Sequence, residues 1–380
     1  MHEKAAICGL FCFNYLSVYF YGMASNKEGQ PVLSNLLRSN YYNSLNGFRG
    51  ISIILVVFYH LQLSDNYFYT IIFNGGLGVN IFFVISGFLI TSLCLKEKEA
   101  TGDLSLKRFY IRRLLRIFPL AYLYIGVVFL LNHFYRLNIS WIQFAGSALY
   151  LMNFSYFRSH NFTYYFSHYW SLSVEEQFYL LFPFILKINR TAFYYIIISI
   201  VFALPLLCTV QQFIPVLNRG IIYGFTHYFI KFQSIGVGCF FALMASKGTL
   251  NVNWLKQTKV AGNILAIILM FGLHFDEFYT LRSLYVNLVI SLITGYLILS
   301  NIIPANDWIF KVLNNKLLSF IGILSYGIYI WQQLFTCRDS KMPLGIFPYN
   351  VLGLIAVPLL SYYIYELRFL KLKSKFRRKG

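Results

Sequence analysis

The stretch Asn46–His60, NGFRGISIILVVFYH, sets the reading of this chain. An apolar run begins at one arginine, Arg49, and closes on one histidine, His60. At about 100° per residue, eleven steps return to within roughly 20° of the start, so both side chains share one helix face. With a rise of about 1.5 Å per residue they stand ~16 Å apart along the axis. Ionisable groups are costly within a bilayer and are normally used there. The pattern therefore predicts a membrane helix with a fixed cation at one edge and a titratable imidazole toward the other.

The rest of the chain agrees with that fold class. Of 380 residues, 58% are hydrophobic and only 12% charged, too apolar for a soluble domain. Apolar runs near 20 residues favour α-helical spans over the short alternating segments of a β-barrel. The expectation is an all-α polytopic integral membrane protein with about ten transmembrane helices. The spans fall near 47–63, 76–95, 117–134, 169–187, 191–210, 220–246, 260–275, 283–303, 317–335 and 348–368. An apolar segment at 5–23 would make eleven, or is a leader or an upstream stretch before a true start at Met23. Residues 1–44 thus read as an N-terminal apolar segment and polar lead-in, 45–370 as the membrane domain, and 371–380 as a basic tail.

Charge fixes the expected orientation. Lys and Arg number 32 against 13 Asp and Glu. The cations gather in short loops on alternate sides, as the positive-inside rule requires, so the excess follows topology and not nucleic-acid binding. This register puts Arg49, the loop 96–116 and the C-terminal tail LRFLKLKSKFRRKG in the cytoplasm. It also keeps WIQFAGSALYLMNFSYF, residues 141–157, from crossing, because every later loop would otherwise change sides. Residues 135–168 become an outward region with an interfacial or re-entrant helix. The six cysteines lie mostly in apolar runs and make no metal-binding spacing, and no metal is expected. No internal repeat is visible, which weighs against a transporter built on two halves.

Four constellations carry the chemistry. His60 can take a proton from a hydroxyl and return it, while Arg49 keeps its charge and suits phosphate or carboxylate. GGLGVNIFFVISGFLIT, Gly75–Thr91, combines small residues with Ser86, and is either helix packing or a narrow channel along a substrate. RFYIRRLLRIFP, Arg108–Pro119, sets Arg112 and Arg113 each within one turn of Arg116, a spacing suited to bidentate phosphate contacts. HYWSLSVEEQFYLLFP, His168–Pro183, holds Glu175 and Glu176 inside a span. One of them is expected to pair with an arginine or to polarise His60, unless the two serve a plain interhelix ion pair.

In this order the four stretches, with LSYGIYIWQ at Leu324–Gln332 and Glu366 in YELRFLKLK, resemble the membrane-bound acyltransferase-3 family of bacterial O-acyltransferases. The resemblance runs from residue 45 to about 375. It implies transfer of an acyl group, usually acetyl, from cytoplasmic acetyl-CoA to a sugar hydroxyl, often across the membrane. It also implies that His60 is the acid/base or transient acyl acceptor and that Arg49, Arg113 and Arg116 bind the CoA phosphates. Asn46 and Gln332 depart from the family, which usually has an acidic residue and often a histidine there. Some relatives carry an appended esterase-like domain. With none expected here, transfer would finish within the membrane module.

The expected partners are thus an acyl-CoA donor, a glycan or lipid-linked glycan acceptor and the lipid bilayer, in the inner (cytoplasmic) membrane of a bacterium. Lipopolysaccharide O-antigen is the favoured acceptor. Exopolysaccharide, peptidoglycan or a small molecule are the other acceptors, and a flippase of an anionic lipid-linked sugar is the rival class. Oligomeric state is not readable.

Overall fold

A computed structural model describes residues 43–159, 163–214, 219–247, 252–273, 281–337 and 342–376. The apolar segment at 5–23 lies outside these residues. Ten principal helices, with shorter ones between them, form the bulk of the described chain: α1 Asn43–Leu61, α2 Gly75–Thr101, α3 Leu106–Tyr135 and α4 Tyr169–Ile188. They continue as α5 Arg190–Phe213, α6 Gly220–Lys247, α7 Lys259–Gly272, α8 Leu281–Ile302, α9 Lys316–Thr336 and α10 Tyr349–Lys373. No strand occurs among the described residues.

Eight of these helices are long and apolar enough to cross a membrane. The other two are α4 and α7. Helix α4 has 20 residues and carries Glu175, Glu176 and Lys187, yet its outward side exposes Leu180, Phe184 and Ile188 as a lipid-facing helix would. Helix α7 has only 14 residues. The chain is a multi-pass membrane protein. Residues 141–157 form no long helix: Trp141–Ala148 and Ser155–Ser159 are short pieces.

Hydropathy locates only the lipid-immersed part of a helix, and here the helices run beyond it. The expected loop at 96–116 shrinks to a turn, because α2 continues to Thr101 and α3 begins at Leu106. Gly102, at φ 75°, adopts the left-handed conformation that ends α2. Pro119 consequently sits inside α3, and the arginines 108–116 form its first turns. Lys187 meets Asp103 of this turn at 3.0 Å, and that bond holds the Asp103 carboxyl below its usual range.

Helices approach closely where one contributes glycine. A methyl on Gly87 of α2 would lie 1.9 Å from the Ile235 carbonyl oxygen of α6, and one on Gly238 of α6 2.1 Å from that of Val84. The seam between α1 and α9 is built likewise, with Gly322 against the Asn46 carbonyl and Gly47 against that of Leu313, just before α9. Such contacts give dense packing where lipid offers no hydrophobic drive for helix association. Asn80, Ser234 and Ser291 add a buried polar knot joining α2, α6 and α8: Asn80 donates to Ser234 at 3.1 Å, and Ser291 to Asn80 at 3.0 Å. The glycines of α2 thus serve chiefly as packing positions, while Ser86 turns to the opposite purpose described next.

Candidate active site

The α1–α9 seam and the α2–α6 crossing fix four helices around one internal space. Arg49 from α1, Ser86 from α2, Arg113 and Arg116 from α3, Ser171 and Glu175 from α4, and Ser325, Tyr326 and Tyr329 from α9 line a cavity of about 90 Å³. The first four principal helices and the distant α9 therefore converge on it.

The carboxylates belong to the arginines. Arg113 lies 3.4 Å from Glu176 and 3.9 Å from Glu175, and its guanidinium stacks 3.7 Å over the Tyr179 ring. Ser86 and Tyr179 both donate to the same oxygen of Glu175, the latter at 3.1 Å. Tyr179 stands four residues after Glu175, so one turn of helix places its hydroxyl on that carboxylate. Arg113 is thereby largely neutralised. Arg49 and Arg116 face the cavity with no ion pair to a carboxylate among the described residues. Two guanidinium groups without a carboxylate in ion-pair contact, beside hydroxyl donors, make an anion site.

Arg112 turns away. It pairs with Glu97 of α2 at 2.8 Å and donates to the Phe376 carbonyl at 3.1 Å, tying the turn that follows α10 to α3. It does not line the cavity. Glu366 of α10 does not line it either: it closes a wide π-turn over Ser361–Glu366 that follows Pro358, and its carboxyl accepts from Ser361 at 3.1 Å. Gly327 of α9 leaves room for that carboxyl.

His60 occupies the other end of α1, half-buried. Helix α1 is continuous from Arg49 to His60, so the shared face expected from the spacing is present. The Nδ1 of His60 donates to the Val56 carbonyl at 2.8 Å. A carbonyl can only accept, so this bond fixes the proton on Nδ1 and leaves Nε2 as the lone-pair nitrogen. Neither Glu175 nor Glu176 pairs with His60. Between the two ends stands Tyr329, which lines the cavity, bonds the Ser171 hydroxyl at 2.6 Å and donates to the His168 carbonyl at 3.2 Å. Spacing alone did not single out Tyr329 or His168, because both depend on contacts between α4 and α9. No cluster of three or more metal-ligating side chains occurs among the described residues.

An acyltransferase domain model matches residues 42–366, most of the chain and every element of this site. The chain belongs to the acyltransferase-3 family. It is 28% identical over 361 residues to the peptidoglycan O-acetyltransferase OatA of Listeria monocytogenes, covering 90% of this chain and 56% of that protein. It is also 28% identical over 376 residues to the O-acetyltransferase OatA of Staphylococcus aureus, covering 92% and 59%. The chain thus spans less than three fifths of the length of these relatives. No solved structure matches it.

Proposed function

We propose that this membrane protein is an O-acetyltransferase that moves an acetyl group from acetyl-CoA, bound at the arginine end, to a sugar hydroxyl of a cell-envelope glycan at the His60 end. The carrying observation is the separation along α1 of an arginine-lined cavity from an imidazole whose Nε2 can accept a proton. Arg49 and Arg116 supply charge for the CoA phosphates, and Arg113 is held beside them by Glu175 and Glu176. The ~16 Å between Arg49 and His60 is of the order of an extended pantetheine arm.

In the direct form of the reaction, His60 Nε2 takes the acceptor's hydroxyl proton as its oxygen attacks the thioester carbonyl. The C–O bond forms, the C–S bond breaks, and the proton passes from His60 to the departing CoA thiolate. The excess of cations in alternate loops and in the tail supports a reading with the arginine end and the C-terminus on the cytoplasmic side of a bacterial inner membrane and His60 toward the outer face. The acceptor in this reading is an envelope glycan, free or lipid-linked. The name of the Listeria relative supports peptidoglycan, and O-antigen is the other envelope glycan of this class.

The test is incorporation of labelled acetyl from acetyl-CoA into glycan by membranes containing the protein. Label should enter glycan with wild type and not with His60→Ala. Movement of a lipid-linked sugar across the membrane without acetylation would identify a flippase instead.

A further inference from the structure

Acetyl-CoA is a long molecule: an acetylated pantetheine arm, then a diphosphate, then a ribose that carries a 3′-phosphate beside adenine. Arg49, Arg113 and Arg116 offer charge to its middle. A cation placed beyond them, farther from His60, is positioned for its end. Helix α10 supplies one. It begins beside the far end of α1, where Phe347 and Val351 share a groove with Leu61, and runs back toward the arginines.

Three points fix its course there. The Glu366 carboxyl lies over Gly327, within the Ser325–Tyr329 stretch of α9 that lines the arginine cavity, and in the field of Arg116. Glu366 therefore marks the depth of the cavity on α10. Lys373 follows seven residues on, two turns along the same face and about 10 Å farther from His60. Three residues later the Phe376 carbonyl accepts from Arg112 of α3 at 3.1 Å. Lys373 thus stands between two points where this end of the chain meets α3. Its ammonium lies in the field of four guanidinium groups, Arg116 foremost, then Arg113, Arg49 and Arg112.

Two of those four are matched by carboxylates, Arg112 by Glu97 and Arg113 by Glu175 and Glu176. Lys373, like Arg49 and Arg116, has no ion pair to a carboxylate among the described residues. Gathering like charges is unfavourable. A tail that served orientation alone could leave every cation in water, as it leaves Arg368 and Lys371, whereas Lys373 is half-buried against the cluster.

We propose that Lys373 binds the 3′-phosphate of acetyl-CoA at the mouth of the arginine cavity and so selects CoA over donors lacking that phosphate. This rests on the acetyltransferase reading above and names a residue that sets its donor specificity. A phosphate monoester carries about −1.5 to −2 charge at neutral pH, which answers a surplus of cations. The chemistry divides by residue type. Guanidinium forks in a confined cavity suit the diphosphate, while an ammonium on a flexible stem suits a phosphate at the solvent-facing end.

The test is equilibrium binding of CoA and 3′-dephospho-CoA to the full chain in phosphatidylcholine nanodiscs. Wild type should bind CoA about tenfold tighter than dephospho-CoA, the effect of one charge-assisted hydrogen bond. Lys373→Met should weaken CoA about tenfold, leave dephospho-CoA unchanged and hold or raise the melting temperature, since it relieves repulsion. Arg368→Met, which removes an exposed cation from the same helix, should leave both affinities at their wild-type values. Equal wild-type affinities for the two ligands would overturn the proposal, whether or not the variant folds. So would an equal loss for both in Lys373→Met, or a loss seen only when phosphatidylglycerol is added, which would assign Lys373 to a lipid phosphate. Wild-type protein that binds neither ligand would instead sink the acetyl-CoA reading itself.

Discussion

Replacing Gly322 by alanine tests whether the seam between α1 and α9 sets the geometry of the site. The added methyl would stand 1.9 Å from the backbone carbonyl oxygen of Asn46, three residues before Arg49. Real contacts of this kind rarely fall below 3.0 Å, so the seam must open by about 1 Å. The obstruction is backbone, and no side-chain rotation relieves it. Overpacking of this kind costs about 1–3 kcal/mol of stability. Since α1 carries both Arg49 and His60, the same shift misplaces the donor charge relative to Arg116 and Tyr329, and a 1 Å error costs on the order of 100-fold in rate. Gly126→Ala in α3 is the control, because nothing lies within 4 Å of the added methyl. It should hold or raise stability by up to about 1 kcal/mol through helix propensity and leave turnover unchanged. Acetyl transfer in nanodiscs and thermal unfolding of the same samples provide the two readouts. A Gly322→Ala protein with wild-type turnover would refute the claim that this seam positions the reacting groups.

Other substitutions separate structure from chemistry. Arg113→Met strands Glu175 and Glu176 without a counter-charge and should cost about 3–5 kcal/mol in thermal stability. Adding Glu176→Gln should restore much of that stability but not activity; recovery of both would remove Arg113 from the donor site. Arg116→Met should raise the KM for acetyl-CoA tenfold to about 100-fold, whereas Arg112→Met, whose partner is Glu97, should change it less than threefold. Asp307→Asn keeps the cap on the helix Trp308–Leu313 but strips buried Lys259 of its 2.9 Å partner, for a predicted loss of about 3 kcal/mol. Burial would raise the Asp307 carboxyl, yet the bonds from Phe310 and Lys259 hold it below its usual range. A lowered carboxyl stabilises the fold above its ordinary range and loses that contribution as pH falls, so wild type should approach the variant's melting temperature only in acid.

The spans and the Arg49–His60 face were legible because both follow from period and hydropathy, which are local. The arginine cluster was legible only in part. Helical spacing makes Arg112 and Arg113 both neighbours of Arg116, and the choice between them is made by Glu97 on α2 and by Glu175 and Glu176 on α4. Those partners are non-local, so no spacing rule could rank them. The pairing of Glu175 with an arginine was one of the options that spacing left open. Its hydroxyl support from Tyr179 could have been found, since the two stand one turn apart on α4. The extension of α3 back to Leu106 escaped because amphipathic turns beyond the hydrocarbon core look like a charged loop.

The most direct measurement is acetyl transfer by the purified protein in nanodiscs, supplied with labelled acetyl-CoA and glycan acceptor, comparing wild type with His60→Ala. Removing a general base or a covalent acceptor should lower transfer by at least about 100-fold while the melting temperature stays close to wild type. Acetylation at the wild-type rate by folded His60→Ala would contradict the central claim that the imidazole at the far end of α1 handles the acceptor.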